Sequence, residues 1–178
     1  NAYRDTNIAF ANEISMICDR YGIDVLNLIS MANHHPRVNI LEPGCGVGGH
    51  CIAVDPWFIV SDYPKDTPLI KTARKVNIKK TKWVIEKILL KSKDFYKAYG
   101  RKPIIGCLGL TFKADVEDLR ESPALEIVLN LIKESKNVIA CEPNISYHEI
   151  INLVDYEKIL VQADILVGLV AHKEFNLK

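Results

Sequence analysis

Gly44-Cys45-Gly46-Val47-Gly48-Gly49-His50-Cys51-Ile52-Ala53-Val54-Asp55-Pro56-Trp57 is the stretch on which the reading of this chain turns. Its first six residues fit G-x-G-x-x-G, which after a buried strand would open a dinucleotide fold. Glu42 and Pro43 stand where that strand should be, so the stretch reads as a loop. Its glycines let the backbone come close to a ligand where side chains would collide. Asp55-Pro56 reads as a helix N-cap followed by proline at the first helical position. The positive end of that helix favours thiolate at Cys51. The local chemistry is that of a nucleophilic cysteine beside an anionic or bulky substrate. A plain buried thiol is the competing reading, and adjacency alone argues against a His50–Cys51 dyad.

Working outward, Phe10, Ala11, Ile14, Ile17 and Cys18 fall at helical spacing and Gly22 stops the helix. Asp24 caps a second helix to about Ala32, and residues 33–50 form a loop. The helix at Pro56 runs to about Ser61. Thr67-Pro68 starts a run with no breaker before Gly100. After Pro103 the pattern becomes strand (104–109), helix (Ser122-Pro123 to about Ser135), strand (138–141), helix (156–162), strand (165–171). That order predicts a parallel, doubly wound sheet. The fold expected is therefore α/β: a helical region over residues 1–100 with a long connecting helix, then a Rossmann-like sheet domain over 101–178.

The chain has 178 residues, 48% hydrophobic and 25% charged, and a net charge of +1. This is ordinary for a globular chain and offers no field for nucleic acid. No apolar run reaches the roughly 18 residues of a membrane span. Five scattered cysteines do not make a disulfide framework, so a cytoplasmic protein is expected. Cys45, His50 and Cys51 lack zinc-site spacing, and no metal is expected. The basic run Arg74, Lys75, Lys79, Lys80 and Lys82 reads as a solvated face. Lys113 and Arg120 lie in the loop after the first strand, where open α/β sheets bind ligands and where a phosphate would suit them. The acidic residues around them also fit a solvated loop. His35 and Arg37, just before the glycine-rich loop, could reach an anion or simply end a helix. Asn1 is not methionine and both ends look cut, so a piece of a longer protein is expected.

Three segments, in order, carry a resemblance: Asn1-Ala2-Tyr3-Arg4 with Ile8 to Glu13; Gly48-Gly49-His50-Cys51 with Asp55; and Gly109-Leu110-Thr111-Phe112-Lys113 with Arg120-Glu121-Ser122-Pro123. Together they resemble the UDP-glucose/GDP-mannose dehydrogenase family. The wording from His50 to Phe58 is similar to the branch acting on UDP-N-acetylhexosamines, above all UDP-N-acetylmannosamine. Ala53 and Val54 stand where the other branches usually have Pro-Lys.

The resemblance implies a dimerising helical part carrying the catalytic cysteine and a truncated nucleotide-sugar domain. The NAD-binding domain would be missing, with the family's lysine four residues before Asn1. It implies a four-electron, NAD-dependent oxidation at C6, in which Cys51 forms a thiohemiacetal and then a thioester. Asp55 and Asn1 would handle water and oxyanion. Asn1, Arg4, His35, Arg37, Gly44, Phe112 and Lys113 would hold the sugar nucleotide, Arg37 reaching across a homodimer. Arg120 would contact NAD. The fragment alone is expected to be inactive. Two alternatives stay open: a UDP-glucose or UDP-N-acetylglucosamine enzyme, and a cysteine hydrolase or transferase using Cys51 with His35 or His50.

Overall fold

The computed structural model describes residues 1–135 and 137–175. The last three residues of the 101–178 segment lie outside them. The chain divides into two compact units, Asn1–Lys80 and Thr81–Lys178, with the division inside one long helix. No helix among the described residues is long and apolar enough to cross a membrane.

The first unit is helical. Helix α1 (Ala2–Tyr21) ends where Gly22 takes φ 67, a left-handed cap that only glycine adopts cheaply. Helix α2 (Val25–Ala32) is capped by Asp24, whose carboxylate accepts the Leu26 and Asn27 amides at 2.9 and 3.2 Å. Residues 33–50 form the expected loop. Helix α3 (Asp55–Asp62) corrects one local expectation. Val54 is the N-cap and Asp55 is already helical, so the Asp55 side chain is spent elsewhere. Helix α4 (Pro68–Tyr99, 32 residues) is about 48 Å long at ~1.5 Å per residue and ends at Gly100, φ 69.

The face α1 buries is not the large apolar stripe the spacing suggests. Asp5, Ala9, Asn12, Ser15 and Cys18 are buried, whereas Phe10 and Ile17 are 51% and 48% exposed. Small and polar residues win the interior because α4 meets them with polar partners. Arg74 Nη1 donates to Asp5 Oδ1 at 2.6 Å, and Asn77 Nδ2 donates to the same oxygen at 2.8 Å. Lys80 Nζ donates to Ser15 Oγ at 2.6 Å. Arg74 and Lys80 are therefore buried network members, while Lys75, Lys79 and Lys82 of the same basic run are exposed. Burying these charges is tolerable only because each meets a partner.

The second unit carries a three-stranded parallel sheet, order β2-β1-β3, of β1 (Ile105–Leu108), β2 (Val138–Cys141) and β3 (Ile165–Gly168). Helices α5 (Pro123–Ser135) and α6 (Tyr156–Gln162) make the crossovers. β1 and β2 are buried at every position, as parallel strands between helical layers must be. Gly106 is required in β1: a Cβ there would stand 2.7 Å from the Ala163 Cβ and 2.8 Å from Ile159 of α6. β3 is shorter than the expected 165–171. After Gly168 the Leu169 and Val170 amides both turn to the Leu108 carbonyl, at 2.9 and 3.1 Å, which folds the chain across the end of β1. Leu108, Ile139, Cys141, Ile159 and Phe175 form the core, and each such side chain contributes about 1.5–3 kcal/mol by leaving water.

Candidate functional site

None of the five cysteines forms a disulfide, and they differ sharply. Burial pushes the Cys107 thiol up to about 12 and Cys141 up to about 11, which makes both inert. Cys45 is also raised to about 11 by burial, and burial lowers Lys80 to about 8. Cys51 is the exposed one, following the buried pair Gly48 and Gly49. Gly49 holds φ 83, a turn that lifts the next residues out of the loop. The Cys51 carbonyl accepts the Val54 and Asp55 amides at 3.2 and 2.8 Å, so the cysteine is pinned to the first turn of α3.

The His50 ring does reach its neighbour, contrary to the expectation from adjacency. Nε2 stands 3.4 Å from Cys51 Sγ. Residues 50–54 form a tight turn, not a strand, so successive side chains need not point apart. Asn1 Nδ2 donates to Asp55 Oδ2, which brings two of the expected site residues together from α1 and α3.

The glycine loop is held by asparagines that the sequence reading overlooked. Asn12 is fully buried. Its Oδ1 accepts the Gly44 amide at 2.9 Å and its Nδ2 donates to Asn77 Oδ1 at 2.9 Å. Asn7 accepts the Leu41 amide at 3.0 Å and donates to the Asn39 carbonyl at 2.9 Å. Asn33 grips Ile40 at both amide and carbonyl, at 2.7 and 2.9 Å. A carboxamide offers one acceptor and two donors, so it stands in for a strand partner where the loop has none. Asn7 and Asn12, both on α1, were the available signal. Arg4, His35 and Arg37 are exposed, and the Arg37 amide donates to His35 Nδ1 at 3.3 Å.

In the second unit the loop after β1 carries Phe112, Lys113 and Arg120. Phe112 is half-buried, with the exposed Lys113 ammonium 5.8 Å from its ring centroid. The Arg120 side chain is 65% exposed and pairs with Asp118 at 2.7 Å. Each strand delivers a group to the sheet's carboxyl end: Thr111 after β1, Glu142 after β2, His172 after β3. Glu142 and His172 are buried and 3.0 Å apart. Asp115, His172 and Glu174 bring possible ligand atoms within 4.8 Å of one another, but His172 Nδ1 already accepts the Asp115 amide at 3.0 Å.

Residues 1–79 match the UDP-glucose/GDP-mannose dehydrogenase family central domain, and residues 106–177 match the UDP binding domain of the same family. The chain belongs to the UDP-glucose/GDP-mannose dehydrogenase family. It is 52% identical to UDP-N-acetyl-D-mannosamine dehydrogenase of Campylobacter jejuni, over 98% of this chain and 44% of that protein. It is 51% identical to NDP-N-acetyl-D-galactosaminuronic acid dehydrogenase of Ralstonia solanacearum, over 99% of this chain and 42% of that one. Among solved structures, UDP-D-ManNAc dehydrogenase from Pyrococcus horikoshii aligns over the whole chain with a TM-score of 0.87 and 35% identity, covering 41% of that chain. The chain thus spans less than half the length of these relatives, all of them nucleotide-sugar dehydrogenases by name.

Proposed function

We propose that the protein containing this chain oxidises the C6 hydroxymethyl group of UDP-N-acetyl-D-mannosamine to the uronate. This chain would supply the cysteine and most of the sugar-nucleotide contacts. The observation that carries the reading is Cys51: an exposed thiol on a glycine-built turn, pinned to α3 and flanked by the Asn1–Asp55 pair. A thiol is needed because sulfur both adds to an aldehyde and leaves from an acyl carbon. Cys51 adds to the C6 aldehyde to give a thiohemiacetal. Loss of hydride from C6 leaves a thioester, and water cleaves it to the carboxylate and the free thiol. Asp55 takes the proton of that water, and the Asn1 amide, held by Asp55, donates to the oxyanion.

NAD, when bound, accepts the two hydrides that this four-electron change releases. Among the described residues no strand leads into the glycines at 44–49, so these glycines lack the strand–turn setting of a dinucleotide cradle. Its contribution to NAD is the exposed Arg120 guanidinium, steered by Asp118. Arg4, His35, Arg37, Gly44, Phe112 and Lys113 hold the sugar nucleotide. Two copies pair through the helical part, and this brings Arg37 to the partner's substrate.

The test uses the full-length enzyme. About two NADH per UDP-N-acetylmannosamine are expected, and Cys51→Ser abolishes uronate formation. Full uronate turnover by the serine variant rules the thioester route out. The 3.4 Å His50–Cys51 contact favours a second reading, a cysteine hydrolase or transferase. That reading predicts turnover without NAD, and an absorbance assay at the NADH band separates the two. UDP-glucose or UDP-N-acetylglucosamine oxidised faster than UDP-N-acetylmannosamine would shift the assignment within the family.

A further inference from the structure

The loop carrying Phe112 and Lys113 is closed by residues that none of the roles above uses. The His172 ring, 1% exposed, lies beneath it. The Asp115 amide donates to Nδ1 at 3.0 Å, and Asn144 Nδ2 lies 3.2 Å from the same nitrogen. Nδ1 is therefore the acceptor and Nε2 carries the proton. Nε2 points to Glu142 Oε2 at 3.0 Å and Thr111 Oγ1 at 3.2 Å. The Thr111 hydroxyl in turn donates to the Lys113 carbonyl at 2.9 Å. One ring thus holds the loop on both sides of Phe112 and Lys113.

Glu142 fixes the entry to the same loop. Its Oε2 accepts the Leu110 and Thr111 amides at 2.7 and 3.2 Å. The exit is strained. Asp115 is a non-glycine residue at φ 58, and it stays there with its amide on His172 and its Oδ1 accepting the Lys173 amide at 3.2 Å. A left-handed residue persists only where surrounding contacts over-determine it. A loop left to relax would spread Phe112 and Lys113 over many conformations and pay ordering entropy on binding.

We propose that His172 and Glu142 are positioning residues that pre-form the Phe112–Lys113 loop for the nucleotide of the substrate. The inference rests on the nucleotide-sugar reading of that loop. It is tested in the full-length enzyme by UDP and NAD titrations and by amide hydrogen exchange of residues 110–115 in the ligand-free protein. For His172→Ala the Asp115 amide loses protection and UDP binds about tenfold more weakly, the worth of one ordinary hydrogen bond. NAD affinity stays within about twofold. His172→Asn keeps an acceptor near Nδ1 and restores both protection and UDP affinity; His172→Gln, which keeps only the Glu142 side, does not.

Unchanged UDP affinity in His172→Ala overturns the proposal, whether or not the loop loosens. Equal weakening of UDP and NAD also overturns it, because that marks general destabilisation. If the alanine variant does not fold, the Asn and Gln variants decide, and UDP affinity no better for Asn than for Gln overturns it. Wild-type enzyme with no affinity for UDP sinks the nucleotide-sugar reading along with the clasp. Wild-type binding with indifferent variants sinks the clasp alone.

Discussion

At the residue scale, side chains of one type do opposite things because burial differs. Burial holds the Cys107 thiol up, from 9.0 to about 12. The unfolded chain releases that proton near pH 9, while the folded chain keeps it to about 12. Over this window the unfolded state binds fewer protons, so stability is full below pH 9 and falls as pH rises, by up to about 1.4 kcal/mol per pH unit. Urea melts of wild type and Cys107→Ala across pH 8 to 11 check this: the variant should show the shallower alkaline slope, and parallel curves would discount the buried thiol. Asn12 makes a second case. Asn12→Ala strands the buried Asn77 Oδ1 and leaves the Gly44 amide without its acceptor, which should cost about 1–3 kcal/mol in denaturant melts. A loss below about 0.5 kcal/mol would mean that water replaces the carboxamide. The turn at Cys51 and the helix after it were legible from the neighbouring residues, because glycines and a helix start are local signals. Asn12 was not, because its partner Asn77 lies 65 residues away in sequence.

At the scale of elements, α1 has two faces with separate work. One packs asparagines, an aspartate and small residues against α4 and the loop. The other exposes Tyr3, Phe10 and Ile17 at a seven-residue interval, with Tyr21 one turn on. Large apolar groups so aligned on a helix mark a surface to be covered. If two copies pair through this face as proposed, Phe10→Glu with Ile17→Glu should leave the helical circular-dichroism signal intact and give a monomer by light scattering where the wild type is a dimer. A persistent dimer would move the interface off α1. The turn after β1 makes the converse point. Gly109 has φ 88, and a Cβ there would lie 2.5 Å from the Val170 Cβ. Gly109→Ala should lower stability by about 2 kcal/mol or more, read as a fall in Tm. Apart from α3, which begins one residue early, helix starts and stops were legible because caps are written within four residues. The end of β3 was not, because the Leu108 carbonyl that turns the chain there comes from another strand.

At the scale of the whole molecule, the 178-residue chain should bind UDP weakly and form no NADH from UDP-N-acetylmannosamine. NADH formation by these 178 residues alone would overturn the proposal that NAD is held mainly outside them. The two units also differ in how much local pattern could say about them. Alternation of strands and helices after Pro103 implied a parallel sheet, because short apolar runs separated by capped helices have few other ways to bury themselves. In the helical unit the apolar periodicity of α1 pointed to Phe10 and Ile17, yet these are exposed and the interior includes the polar Asp5, Asn12, Ser15, Arg74, Asn77 and Lys80 beside small residues such as Ala9, Ala11 and Cys18. By itself the sequence determined the element types and their order, which follow from signals within a few residues, and the parallel winding, which follows from the alternation of strand and helix after Pro103. Only the structure decided which charges are buried, that Thr111, Glu142 and His172, each 30 or more residues from the next, come together, and that a tight local turn brings the His50 ring to the Cys51 sulfur. The first two outcomes depend on which distant group arrives to satisfy a polar atom, and no local window contains that information.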